Sequence, residues 1–94
     1  MALEITPFDM AEMLDSEEVI REYFSQVMAD GEADEIIRAL SHIARARGMT
    51  KLAEESGLGR VSLYKALSPN AHPRFETILK VTRALGLNLS VAHA

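Results

Sequence analysis

The sequence has no cysteine and no tryptophan, and no apolar run that approaches the roughly 20 residues needed to cross a bilayer. Without cysteine, disulfides, thiolate catalysis and most zinc-finger sites are excluded. The start of the chain lacks the basic region, apolar segment and small-residue cleavage site that mark an exported protein. We therefore expect a soluble, cytoplasmic protein without a membrane partner.

Patterns for catalysis and for metal binding are also missing. His42, His72 and His93 are scattered without ligand spacing, so a surface or capping role is expected for each. The turn at 57–59 resembles a dinucleotide loop, but it lacks the later glycine and the preceding strand. No nucleophile with a base and no carboxylate pair can be assembled. We expect a protein that is not an enzyme and that holds no cofactor or metal.

The charge is unevenly distributed along the chain. The net charge is −4 and the isoelectric point about 5.3, which normally argues against DNA binding. However, residues 1–35 carry eleven acids against one arginine, and residues 36–94 carry nine bases against three acids. Because charges are screened within about 8 Å at physiological salt, a partner responds to the nearest patch. The asymmetry predicts two faces with different partners.

Helical periodicity predicts an all-α fold of about five helices in a single domain, residues 1–94. Within it we expect acidic N-terminal helices over 1–31, a helix-turn-helix core over 32–86 and a short terminal strand over 87–94. The helical patterns cover about 7–14, a segment ending near 30, about 32–47, a helical pair within 50–68, and about 74–85.

Several details of these helices follow from capping and spacing. Asp15 is the expected N-cap of the second pattern, with Glu18 reaching back to it. Apolar residues at helical spacing predict its buried stripe, namely Val19, Ile20, Tyr23, Phe24, Val27 and Met28. The buried side of the last helix is expected to comprise Phe75, Ile78, Leu79, Thr82 and Leu85.

Apolar and polar residues alternate at the end of the chain, as in a strand. Leu87, Leu89 and Val91 would expose an apolar row if this segment were a frayed tail. We therefore favour a C-terminal strand that pairs across a homodimer, because nothing else in the chain has a strand pattern.

Two short helical patterns bend around Gly57 in the stretch 50–68, as in a helix-turn-helix. Gly57 occupies the turn where a positive φ is needed. Ala53 is small where the helices cross. The buried side is expected to comprise Leu52, Leu58, Leu63 and Leu67.

The second helix of this pair presents polar and basic residues for DNA. Arg60 is placed to pair with guanine, and Ser62, Tyr64 and Lys65 to reach bases or phosphates. Other polar side chains are placed to grip the phosphate backbone, namely Arg47, Thr50, Lys51, Ser68, Asn70, His72 and Arg74. For Arg47, an interaction with the helix dipole is an equally good interpretation.

A third set of bases precedes the helical pair. Arg38, His42 and Arg45 are spaced four and three residues apart, which places them on one outer face of their helix.

The chain resembles a family of bacterial addiction-module antidote proteins, small Xre/Cro-type helix-turn-helix antitoxins encoded beside a RelE-superfamily toxin. The resemblance extends from Ala39 to Leu89, and it includes Tyr23 near the N-terminus. Its clearest segments are Ile-Ala-Arg-Ala-Arg-Gly-Met-Thr at 43–50, Gly-Leu at 57–58, Ser-Leu-Tyr-Lys-Ala-Leu-Ser at 62–68, Ala-Leu-Gly-Leu at 84–87, Phe-Asp at 8–9 and Leu-Asp-Ser-Glu-Glu at 14–18.

This resemblance implies a lambda-repressor-like domain that dimerises, neutralises a cognate toxin and binds operator DNA at its own promoter. It assigns recognition-helix roles to Arg60, Ser62, Tyr64 and Lys65. The chain differs from the family at Gly59, where serine is usual, and at Val61, where a polar residue is common. Two alternatives stay open: a stand-alone repressor without a toxin, and a toxin-binding module with weak DNA affinity.

Overall fold

The computed structural model describes residues 14–91, and every regular element in that range is an α-helix. The predicted all-α fold is therefore confirmed there, whereas the helix expected over 7–14 lies outside the described residues except for Leu14. The helices are α1 (Glu17–Asp30), α2 (Ala33–Arg47), α3 (Met49–Ser56), α4 (Arg60–Ala66) and α5 (Phe75–Ala84).

The core is centred on α2. Ala39, Leu40, Ile43 and Ala44 are exposed by 1% or less, whereas Ile36 and Ile37 in the first half of the apolar stripe are half-buried. α1 packs on α2, α3 packs on α2, and α4 and α5 pack on α3. The buried side chains of α2 form one cluster with Leu52, Leu63, Val81 and Leu85. This arrangement holds α4 on the outside of the bundle.

The N-cap of α1 is Ser16, so the expected cap at Asp15 is wrong. The Ser16 Oγ accepts a hydrogen bond from the backbone N–H of Val19 at 3.2 Å. A serine hydroxyl in this position satisfies one of the free N–H groups of the first turn. Asp15, one residue earlier, is exposed.

The apolar stripe of α1 is only partly buried. Ile20 and Phe24 lie in the core, but Val19 and Met28 are 42% and 41% exposed, against expectation. The stripe is wide because it contains six apolar residues. Within residues 14–91, α2 is the main helix that packs on it, and one helix covers only its centre. Residues at the two edges of a wide stripe stay in solvent when one helix covers the centre.

The turn between α3 and α4 requires glycine. Gly57 has φ 76° and ψ 9°, the left-handed conformation, and its N–H donates to the carbonyls of Ala53 and Glu54. The structure thus confirms the expected positive φ. Leu52, Ala53, Leu63 and Leu67 are buried as predicted, and Leu58 is half-buried.

The end of α5 replaces the expected start of a strand. Gly86 has φ 76°, its N–H donates to the Arg83 carbonyl, and the Leu87 N–H donates to the Thr82 carbonyl at 2.8 Å. These two bonds form a Schellman motif, in which the apolar residue after the glycine folds back onto the helix. Leu87 is accordingly buried within its own chain.

No strand is present between residues 14 and 91. The predicted strand over 87–94 is therefore not seen in its described part, and Leu87 does not belong to an exposed apolar row. Leu89 is half-buried against the core, and Val91 is fully exposed.

Phe75 is 68% exposed, so its expected place in the core is wrong. It is the first residue of α5. Because side chains tilt toward the N-terminus of their helix, a first-turn residue points past the helix end. The buried face of α5 therefore starts later, with Val81 and Thr82 as its most buried residues and Ile78 and Leu79 half-buried.

We predict that Ser16→Ala lowers the free energy of unfolding by about 1 kcal/mol, because α1 loses its only observed side-chain cap bond. Urea denaturation followed by circular dichroism measures this change. Asp15→Ala is the matched control and should have little effect. An equal loss in both variants would show that Ser16 is not the cap.

Gly57→Ala should destabilise the fold by about 1 to 2 kcal/mol, the cost of placing a Cβ-bearing residue in the left-handed region. Nothing lies within 4 Å of the added Cβ, so the cost is conformational rather than steric. Gly57→Asn is the control, since asparagine tolerates this region better. If Asn costs as much as Ala in urea denaturation, the conformational explanation fails.

Candidate functional site

The outer face of α4 collects the residues predicted to read DNA. Arg60, Ser62, Tyr64 and Lys65 are all exposed, while Leu63 between them is fully buried. Leu63 fixes the rotation of the helix, and that rotation turns the polar residues outward. Val61 is exposed on this face as well. These four polar residues share one accessible surface, which we name the α4 face.

Arg60 and Tyr64 interact directly. The guanidinium carbon of Arg60 lies 5.8 Å from the centroid of the Tyr64 ring, within range of a cation–π contact. The spacing of four residues along α4 makes this contact possible. It restricts the rotamers of an arginine at the helix start, where the N-cap Gly59 offers no side-chain bond.

Ser68 and Asn70 lie beside Tyr64, in the turn after α4. The Ser68 Oγ donates to the Lys65 carbonyl at 2.7 Å, so this hydroxyl is engaged by the helix end. Asn70 has φ 63°, a left-handed conformation that asparagine adopts more readily than most residues. The turn is closed by the Ala71 N–H, which donates to the Ser68 carbonyl at 3.1 Å.

Arg47 and Lys51 occupy a different place from Ser68 and Asn70. They line a small groove next to the end of α5, at Ala84 and Leu85. Each also has a carboxylate partner: Arg47 pairs with Glu17 at 3.2 Å, and Lys51 with Glu55 at 3.9 Å. The carboxylate partners partly neutralise the charges of Arg47 and Lys51, whereas Ser68 and Asn70 line a separate cleft. Thr50, His72 and Arg74 are exposed.

A cleft of about 420 Å³ separates α2 from the end of α4 and the turn that follows. Arg38, His42 and Arg45 line it from α2, and Tyr64 and Ser68 line it from the other side. The spacing predicted one outer helix face for the three α2 residues, but only Arg38 and Arg45 are exposed, and His42 is buried. The opposite wall depends on tertiary packing, so no local pattern indicates the cleft.

His42 is 8% exposed, which contradicts the surface or capping role expected for it. Its Nδ1 is buried and has no hydrogen-bond partner within the described part of the chain. Burial lowers the pKa of the imidazole below the ordinary 6.5, and the positive charges of Arg45 and Arg38 lower it further. The side chain is therefore neutral at pH 7.

The acidic side chains of α1 form a separate exposed group. Glu17, Glu18, Glu22 and Asp30 are all exposed, and only Glu17 is in an ion pair within residues 14–91. Over the same residues, no helix is both long and apolar enough to span a membrane. No group of three acidic or histidine residues there is arranged to hold a metal ion.

Comparison with known proteins gives two matches along the whole chain. A family model described as "Probable addiction module antidote protein" matches residues 4–93. A protein of Haemophilus influenzae (strain Rd), named "Uncharacterized protein", is 42% identical over 94 residues, which is 100% of this chain and 97% of that protein. No solved structure is significantly similar.

We predict that stability falls as the pH is lowered from about 7.5 to about 5.5 and that His42 contributes to this slope. The folded chain holds the His42 pKa below 6.5, so the unfolded chain binds the proton more readily. The contribution of His42 to the free energy of unfolding is therefore fully present above pH 6.5 and is lost as the pH falls below that value. Asp34, Arg38, Arg45 and Tyr64 are the other ionisable groups of the cleft.

Urea denaturation at the two pH values tests this contribution. His42→Asn should show a smaller change in the free energy of unfolding between them, whereas the control Ser62→Ala should keep the slope of the natural chain. Identical slopes in all three proteins would contradict the assignment.

Proposed function

Because the chain belongs to the family of probable addiction module antidote proteins, we propose that it is the antitoxin of a type II toxin–antitoxin module. In this proposal it acts in the cytoplasm, binds a RelE-like toxin directly, and represses its own operon by binding operator DNA as a homodimer. It needs no enzymatic step, since both roles work by covering a surface.

The α4 face carries the DNA-binding part of the proposal. The Arg60 and Tyr64 contact, with exposed Lys65 beside it, stands on a helix whose opposite side is anchored by buried Leu63. A recognition helix needs this combination, because its polar residues must reach base edges while the helix stays rigid. In this proposal α3 and α4 form the helix-turn-helix, and residues 32–86 its DNA-binding core.

In this proposal one group of residues contacts the bases and another contacts the phosphate backbone. Arg60 and Lys65 reach base edges, and Arg60 suits the N7 and O6 acceptors of guanine. Exposed His72 and Arg74 and the turn at Asn70 contact phosphates, which makes binding depend on salt. Arg47 and Lys51 contribute less, because each is already paired with a carboxylate.

A dimer would place two α4 helices in successive major grooves, about 34 Å apart. The chain offers exposed apolar residues for the interface, with Phe75 and Val91 as the most exposed outside α4. We propose that the end of the predicted segment 87–94 pairs between copies. The pairing part begins after Leu87, because Leu87 is buried in its own chain.

The toxin would bind to the acidic side of α1. RNA-binding proteins such as RelE-like toxins tend to be basic, so exposed Glu18 and Glu22 offer complementary charge, which speeds association. The half-exposed Val19 and Met28 add apolar area beside these acids. Deletion of α1 would not test this role, because its Ile20 and Phe24 belong to the core.

Arg60→Ala and Lys65→Ala should each weaken operator binding by about 1 to 3 kcal/mol if the side chains read bases. Mobility-shift titration with the upstream DNA of the gene, at two salt concentrations, measures the loss. Arg83→Ala is a control that removes one exposed charge from α5. Failure of the natural protein to retard this DNA at low salt would refute DNA binding.

Glu18→Lys and Glu22→Lys should each weaken binding to the product of the neighbouring toxin gene by about tenfold or more, through like-charge repulsion. Glu54→Lys is the matched control, with the same charge reversal at an exposed site on α3. Calorimetry with the purified toxin measures the affinities. If Glu54→Lys is as damaging as the α1 variants, the acidic side of α1 is not the docking surface.

A further inference from the structure

We propose that the cleft between α2 and the end of α4 is a binding site for a small organic anion with an apolar body. The proposal concerns a site separate from the toxin surface, and it does not depend on DNA binding or on toxin binding. It follows from the shape of the cleft, its charge and the apolar side chains in its walls.

The shape suits a small molecule. A volume of about 420 Å³ lies within the range of roughly 300 to 1,000 Å³ that small-molecule sites occupy. Half-buried Ile37 and Met49 contribute apolar surface, and Leu67, which is buried in the core, adds little. An apolar or aromatic body placed here removes this surface from water, which is the main source of affinity in such sites.

The charge of the cleft suits an anion. Arg38 and Arg45 are seven positions apart on one helix face, about 10 Å along the axis, and His42 lies between them. Neither arginine forms a salt bridge within residues 14–91. Among residues 14–91, Asp34 is the one acid of the lining, and it lies a turn before Arg38, away from Arg45.

His42 lies on the α2 wall between the two arginines and is 8% exposed. Its Nδ1 is closed off from solvent, so a ligand in the cleft contacts the exposed part of the ring and not this atom. An anion bound at the side chains of Arg38 and Arg45 would lie against this ring.

A DNA phosphate explains the arginines but not the rest of the site. Backbone phosphates are met by side chains and N–H groups at an accessible surface. They have no apolar body that would use the surface of Ile37, Met49 and Leu67. The combination of apolar walls and paired cations instead matches an amphipathic anion, such as an aromatic carboxylate.

Tyr64 and Ser68 belong both to the cleft and to the surface proposed for DNA. A bound ligand would therefore compete with operator DNA, and this consequence alone depends on the proposed function. The ligand would act as an effector that releases repression.

A titration of the full ¹⁵N-labelled chain, followed by NMR of its backbone amides, tests the site. The probe is indole-3-acetate, with indole-3-acetamide as the neutral analogue and inorganic phosphate as the anion without an apolar body. We expect indole-3-acetate to produce saturable shifts at residues 37–45 and 64–71. Both other probes should bind at least about tenfold more weakly.

The variant Arg38→Gln/Arg45→Gln should weaken indole-3-acetate binding by about tenfold or more. Arg21→Gln/Arg83→Gln is the matched control, with the same loss of two exposed charges outside the cleft.

Any of five results would overturn the proposal. The first is no saturable shift with indole-3-acetate up to about 10 mM, a concentration well above the dissociation constants of small-molecule sites. The next three are shifts outside the cleft, equal binding of the neutral analogue, and no effect of the Arg38→Gln/Arg45→Gln variant. The fifth is phosphate binding equal to that of indole-3-acetate, which would favour a DNA phosphate contact. The titration contains neither DNA nor toxin, so its failure is distinct from failure of the antitoxin role.

Discussion

The burial of the middle of α2, from Ala39 to Ala44, is the constraint on which the other elements depend. Ala39 and Ala44 are small enough for neighbouring helices to approach closely, while Leu40 and Ile43 fill the space between them. Close packing of this kind tolerates little change in volume. α1 and α3 are therefore held against α2, and the side of α2 at Arg38 and Arg45 stays exposed.

The position of α4 follows from this core by way of a single turn. Gly57 takes a conformation that costs other residues about 1 to 2 kcal/mol, and it lets the chain reverse after the eight residues of α3. Leu63 and Leu67 then anchor α4 in the same cluster as α2. A helix of seven residues has too few internal hydrogen bonds to be stable alone. Its outward residues are presented only because the core holds it.

Local signals predicted the helices well, and tertiary contacts account for the differences. Periodicity and glycine positions located all five helices of residues 14–91, and Gly57 was predicted with its conformation. Phe75 was assigned wrongly because its spacing does not show that it begins the helix and points past the helix end. Leu87 was assigned wrongly because the alternation does not show that the chain folds back after α5. The residues of the α4 face follow from the burial of Leu63, which the sequence predicted. The cleft could not be predicted from the sequence, because its two walls are far apart along the chain.

The structure also shows how an acidic chain can present a basic face. Within residues 14–91, the pair between Glu17 and Arg47 is the one salt bridge that joins the acidic part of the sequence to the basic part. It is largely exposed, and exposed pairs contribute little to stability. Had the acids of α1 folded back on α4, the charges of Arg60 and Lys65 would be neutralised within the molecule. Because they did not, the net charge of −4 describes the electric field neither at the acidic side of α1 nor at the α4 face. Each of these two surfaces can attract a partner of opposite charge.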